Sequence, residues 1–245
     1  MRRPVLPVFF LMISFAISSP LHADVIDYHT TNIQLLKGWD YKLGEENRTL
    51  ITLEHFNRWT YGDFFMFIDG TRYEGGNTAV YGEFSPRFSL SKISGHDFSV
   101  GAVQDVFIST MLEHGTEGRK TYLYGAAVNF DLPGFQVLTA NLYRRDNPDI
   151  SGATWQTTLA WKRPLTISDT QFLFEGFADF AGNEGSTYKT NQLIVPRFLI
   201  DVGMLADRKK GNVYAGIEWQ YWHNKAGISG TTESVPQLQL KWVFD

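Results

Sequence analysis

About twelve stretches of this chain alternate between apolar and polar side chains, and most are near the ~10 residues of a tilted, membrane-spanning strand. The closing stretch, VPQLQLKWVFD, shows the pattern: Leu238, Leu240, Trp242 and Phe244 alternate with Gln237, Gln239, Lys241 and Val243. A period of two puts one side chain set on each face of a strand, so each stretch has a greasy face and a wet one. The spans read as 31–40, 47–56, 61–69, 79–90, 96–111, 119–130, 134–144, 152–163, 168–180, 189–201, 212–223 and 234–244. Clusters of Gly, Asn, Asp, Pro and Ser separate them.

The charges decide what the greasy face meets. Phe172, Phe174, Ala178 and Phe180 oppose Gln171, Glu175, Phe177 and Asp179; Phe84, Phe88 and Leu90 oppose Glu83, Ser85 and Arg87. Ile194, Phe198 and Ile200 oppose Arg197 and Asp201, and Phe98, Val100, Ala102, Val106 and Ile108 oppose Asp105. A lipid-facing Arg or Lys costs roughly 2–4 kcal/mol at the bilayer midplane, so charges kept to one face, strand after strand, fit a barrel with lipid outside. A soluble sandwich or lipocalin-like barrel would alternate too, with its charged face in solvent. It would seldom place aromatics such as Trp155, Trp161, Trp219, Tyr221 and Trp242 near strand ends, where a membrane protein has its girdle. The expected fold is all-β: a transmembrane antiparallel up-and-down β-barrel of about twelve strands, one domain over 24–245. Pro86 and Pro196 are expected to weaken their strands, since proline lacks the ladder donor.

The first 23 residues read as a signal peptide: basic MRRP, apolar VLPVFFLMISFAIS, and a small-residue exit ending at Ala23. With a strand that starts outward, the outer connectors are YKLGEE, GTRYEGGNT, LEHGTEG, RDNPDISG, AGNEGSTYKT and HNKAGISGTTES. The periplasmic set is NRWTYG, SKISGHD, DLPG, RPLTIS and LADRKKG. The expected location is the cell outer membrane. A mean hydropathy of −0.20 is compatible with this, because only every second strand residue faces lipid. The net charge of −4 gives no basic face for a nucleic-acid polymer. The absence of cysteine excludes a disulfide framework and thiolate metal sites, and no His-pair spacing for a metal appears, so no cofactor is expected.

Several segments resemble the nucleoside-specific channel-forming outer-membrane proteins of the Tsx and OmpK type. They are TNIQLLKGWDY, TLITLEHFNRWTYGDFFMFID, YGEFSPRFSLSKISGHDFSVG and ANLYRRDN. The most specific piece is E-x-x-PRFS, with Glu83, Pro86, Arg87, Phe88 and Ser89; GFADF (176–180) and YWH (221–223) echo later strands. The resemblance implies a monomeric twelve-stranded barrel that admits nucleosides through a narrow, weakly binding lumen. Barrels of this kind end on an aromatic residue that the assembly machinery reads, whereas here Asp245 follows Phe244.

Twelve strands fall between barrels filled by side chains and open porins, which gives a keyhole selective by its lining. The candidate lining is Glu83, Arg87, Asp105, Phe107, Asn141, Tyr143, Glu175, Phe177, Asp179, Arg197, Glu218 and Trp222, with Asn129, Asp201 and Lys241 on the same faces. Phe107, Tyr143, Phe177 or Trp222 could stack on a base for roughly 1–3 kcal/mol, and carboxylates and amides could take sugar hydroxyls. The alternative for each charge is pairing across strands that simply holds the barrel together. Two other functions compete. Outer loops could serve as a surface receptor for phage or colicin. An outer-membrane lipid-modifying enzyme would need a nucleophile beside His55 or His223, and no G-x-S-x-G motif is present.

Overall fold

The computed structural model describes residues 25–116, 118 and 120–244; the expected signal peptide and Asp245 lie outside them. Twelve strands follow in chain order: β1 (Ile26–Gly38), β2 (Arg48–Trp59), β3 (Gly62–Tyr73), β4 (Thr78–Ser89), β5 (Val103–Gly115) and β6 (Lys120–Phe130), then β7 (Val137–Asp146), β8 (Thr154–Ile167), β9 (Thr170–Ala181), β10 (Asn191–Asp201), β11 (Val213–His223) and β12 (Glu233–Phe244). Each pairs antiparallel with its sequence neighbour. β1 closes on β12 in a register running from Thr31↔Phe244 to Gly38↔Gln237, so no edge is left open. Two short helices, α1 (Leu90–Ser94) and α2 (Val202–Leu205), sit in connectors at the end that carries the first residue of β1 and the last of β12. In outer-membrane barrels that end is periplasmic.

All twelve expected strands are present, with local corrections. Residues 96–102 are not strand, and Phe98 and Val100 are exposed in a connector rather than on the outer face of β5. The pairing of β5 with β6 shifts register between Val103 and Asp105, so the strand cannot continue backwards in phase. The segment RPLTIS, expected as a turn, is strand as far as Ile167, and Ser168–Asp169 make the turn. Pro164 is tolerated there because β7 stops pairing at Lys162.

The two mid-strand prolines behave differently. Pro86 and Pro196 stay paired on one side, with Phe64 and Gly176, while the ladder to the other neighbour skips two consecutive pairs. Between β4 and β5 side chains stitch the gap: Ser85 Oγ donates to the Thr110 carbonyl at 3.1 Å, and Thr110 Oγ1 donates to the Pro86 carbonyl at 3.0 Å. Gly176, at φ 155°, lies against Pro196 and under the Trp161 ring, where a Cβ would meet the Val195 carbonyl oxygen at 2.2 Å. Only glycine fits that close approach.

The faces fall as the charge argument required. Ile33, Leu35, Ile51, Phe84, Ile108, Leu142, Phe198, Leu238 and Trp242 are exposed on the outside. Their inward neighbours Gln34, Ser109, Asn141, Glu218, Gln239 and Lys241 are buried. A soluble barrel would bury the first set; here the exposed belt is apolar and the interior polar, as lipid demands. The buried hydrophobic cluster inside is small: Met111, Leu123 and Tyr143.

The candidate site: a half-stitched lumen

One side of the lumen is crossed by an ion network. Arg197 on β10 donates from Nε to Glu218 Oε2 on β11 at 2.6 Å and from Nη1 to Glu54 Oε2 on β2 at 3.3 Å, reaching across four strand steps. Lys241 on β12 donates to Glu175 on β9 and lies 3.8 Å from Glu54. Around them Gln34, Gln237 and Gln239 complete the bonding: Gln239 Nε2 donates to Gln34 Oε1 at 2.6 Å, and Gln237 Nε2 to Glu218 Oε1 at 2.9 Å. Buried charges are tolerated when each is paired and hydrogen-bonded, and these are.

Two further knots join strands from β3 to β8. Arg87 forks onto Asp63 at 2.7 and 2.6 Å, bonds Thr139 at 2.7 Å and covers the Phe107 ring at 4.7 Å. Arg145 holds both oxygens of Glu113 and bonds Gln156. Phe107 and Tyr143 are buried in this packing, Tyr143 by its hydroxyl bond to Ser109 at 2.9 Å, so neither ring offers a face to a solute. Asp105 is near the periplasmic end, where it accepts from Ser89 and from Ser91 on α1; Asp201 accepts from the Met204 and Gly211 amides. Asn129 sits low on β6, paired with Asp105.

The other region has fewer partners and more rings. Alternation on β3 puts Phe65 and Phe67 inward between Asp63 and Asp69, while Phe64 packs outward on Phe84 at 4.6 Å. Tyr28 on β1 contacts Phe56 on β2 at 6.2 Å; Phe56 pairs with Phe65; Phe65 contacts Phe67 at 6.2 Å and Phe67 contacts Tyr81 on β4 at 5.9 Å. These rings, an exposed Tyr28 and four half-buried ones, form a stripe running up the lumen wall. β3 and β9 are six steps apart in the ring of twelve, hence opposite walls, and β9 presents the half-buried Phe177 inward between Glu175 and Asp179. Glu83 is paired with Phe67 on the stripe's side of the lumen, and Asp179 follows Phe177 on the inner face of the opposite wall. Asp69, Glu83 and Asp179 make no ion pair among the described residues. They accept hydroxyl bonds from Thr52 at 2.6 Å, Tyr81 at 2.8 Å and Thr158 at 2.5 Å.

The outer mouth is narrowed by loop 39–47. Tyr41 is 3 % exposed, its hydroxyl donates to Gln237 inside the barrel, and Arg48 lies over its ring at 3.7 Å. Burial pushes the Tyr41 phenol well above its ordinary range, so it stays a donor at physiological pH. Lys225 binds Glu233 and lies 5.1 Å from the Trp222 ring, and Trp222 Nε1 reaches Asn191 at 3.4 Å. Trp222 therefore belongs to this mouth.

The expected lining residues all face inward, at different levels. Glu175, Arg197, Glu218 and Lys241 are taken up by the network, Arg87 and Asn141 by the knots, and Glu83, Phe177 and Asp179 border the open stretch. The stripe residues Tyr28, Phe56, Phe65, Phe67 and Tyr81 escaped the sequence reading, as did Glu54 and Asp69. His55 turns outward onto Thr31 Oγ1 at 2.8 Å and His223 onto Thr232 Oγ1 at 3.0 Å, and neither is bonded to a carboxylate among the described residues.

A closed barrel with an apolar belt, a polar lumen and a narrowed outer mouth is the build of an outer-membrane channel. The profile of the family described as "Nucleoside-specific channel-forming protein, Tsx" matches residues 25–234, and the chain belongs to this family, whose members are channels rather than enzymes. It is similar to the outer membrane protein OmpK of Vibrio parahaemolyticus serotype O3:K6, 22 % identical over 73 % of this chain and 77 % of that one. A second OmpK of Vibrio parahaemolyticus is 26 % identical over 51 % of this chain and 49 % of that one. Among solved structures, the KdgM porin in complex with disordered oligogalacturonate superposes with a TM-score of 0.50 at 8 % identity, covering 87 % of this chain and 99 % of that one. The NanC porin gives 0.46 at 12 % identity, over 86 % and 98 %. These likenesses concern the fold. The protein is an outer-membrane channel for small solutes.

Proposed function

We propose that the solute is a nucleoside, which passes between the aromatic stripe of β1–β4 and Phe177 of β9. The observation that carries this reading is the pairing of rings with carboxylates that make no ion pair among the described residues. A flat base can stack on Phe65, Phe67 or Phe177, while Asp69, Glu83 and Asp179 accept hydrogen bonds from ribose hydroxyls. The same carboxylates repel a phosphate, so a nucleotide is disfavoured. The rings of Phe65, Phe67 and Tyr81, each about 6 Å from the next, let a base hand over from one to another, and weak binding at each step keeps the solute moving. Liposome swelling tests the reading: adenosine should permeate faster than a disaccharide or adenosine monophosphate. Equal rates for all three would reduce the protein to a general pore.

A further inference from the structure

The outer face holds two hollows of the same build. In one, Ala215 and the backbone of Gly216 form a floor walled by Leu35, Ile217, Leu238 and Leu240. In the other, Gly125 and Ala126 form the floor beside Leu142. Each ends, toward the outer loops, at a cation and a tryptophan. Lys37 is paired with Leu238 and lies 5.9 Å from the Trp39 ring; Arg144 is paired with Trp155.

Lys37 and Arg144 differ from the cations inside. Arg87, Arg145, Arg197 and Lys241 each hold a carboxylate, whereas Lys37 and Arg144 make no ion pair among the described residues. Arg72 and Lys120 stand at the same outer rim, likewise without an ion pair there, and Lys120 lies 5.1 Å from the outward Tyr122 ring. An unpaired cation at the edge of the hydrocarbon costs little, and it gains most from an anionic headgroup at that depth. Below each cation an apolar channel replaces what would be a bulging side chain, a shape that fits an acyl chain.

We propose that these hollows bind a phosphorylated glycolipid of the outer leaflet, with acyl chains over Ala215 and Ala126 and phosphates on Lys37 and Arg144. The commitment to the outer leaflet rests on the loop-side position of both cations. A glycerophospholipid offers one phosphate and two chains, while a bisphosphorylated, multiply acylated sugar matches the array of rim cations.

Native mass spectrometry of the full barrel in detergent is the test, using bisphosphorylated lipid A, its dephosphorylated form and phosphatidylglycerol as separate probes. Wild type should retain bisphosphorylated lipid A in preference to both others. The K37Q/R144Q variant should bind it about thirtyfold more weakly. Ala126→Leu together with Ala215→Leu, which fills the floors and keeps the charges, should also weaken binding. Single-channel conductance serves as the folding control, since none of these residues lines the lumen. Unchanged binding by a conducting K37Q/R144Q channel overturns the proposal. So does equal retention of the dephosphorylated lipid or of phosphatidylglycerol.

Discussion

The two sides of the lumen solve the problem of buried polarity in opposite ways. Around Arg197 and Lys241 nearly every charge has a counter-charge, and the side chains close over one another from β9 round to β2. At Asp69 on β3, Glu83 on β4 and Asp179 on β9 a carboxylate makes do with a hydroxyl, and the aromatic faces beside them are left half open. The first arrangement spends its groups on one another and has nothing left for a visitor. The second leaves acceptors and ring faces vacant. Position on the inner face is therefore a poor guide to contact with solute; the state of partnership is a better one.

Breaking the stitched side should have the largest effect. Arg197→Met leaves Glu54 and Glu218 without their shared cation, and removing one partner of a buried pair costs about 3–5 kcal/mol. The temperature at which the folded gel band is lost should fall sharply; an unchanged temperature would show the network to be dispensable. On the open side Phe67→Ala should spare that temperature by comparison and weaken adenosine block of single-channel current by about 1–3 kcal/mol. Ion conductance should stay equal or rise, since the passage widens. Phe177→Ala should act in the same assay toward the lower limit of that range, about 1 kcal/mol, because one ring opposes several. Unchanged adenosine affinity in this variant would assign Phe177 to packing. Smallest of all, Tyr41→Phe removes one hydrogen bond to Gln237, worth about 1 kcal/mol. More frequent brief fluctuations at the outer mouth are expected, with adenosine affinity unaltered.

Much of this was legible in the alternation of residues. Glu175 opposite Phe174, and Arg87 opposite Phe88, settle their faces because a charge in lipid is costly and the period is two. β3 was not legible in that way. GDFFMFID runs through five apolar residues without a polar break, so Phe65 and Phe67 could not be told from Phe64 and Met66 until Asp63 and Asp69 were seen to hold Arg87 and accept from Thr52. Pairings across the lumen were equally hidden. Arg197 and Glu54 are 143 residues apart, and only the closure of the ring brings them together. Tyr41 reads as a loop residue; that it is buried depends on Gln237, at the far end of the chain.

Pro86 and Pro196 sit on β4 and β10, six steps apart in the ring of twelve, and each leaves one seam two residue pairs short. Mechanically the wall is a hoop notched at two ends of one diameter, and bending collects at notches. The seams divide it into two shells. One, β11 round to β4, carries the aromatic stripe; the other, β5 to β10, carries Phe177. Both notches are laced from the inside, by Arg197 to Glu218 across β10 and β11 and by Arg87 reaching over β5 to Thr139, so the side chains of the lumen take over where the ladder of the wall is short.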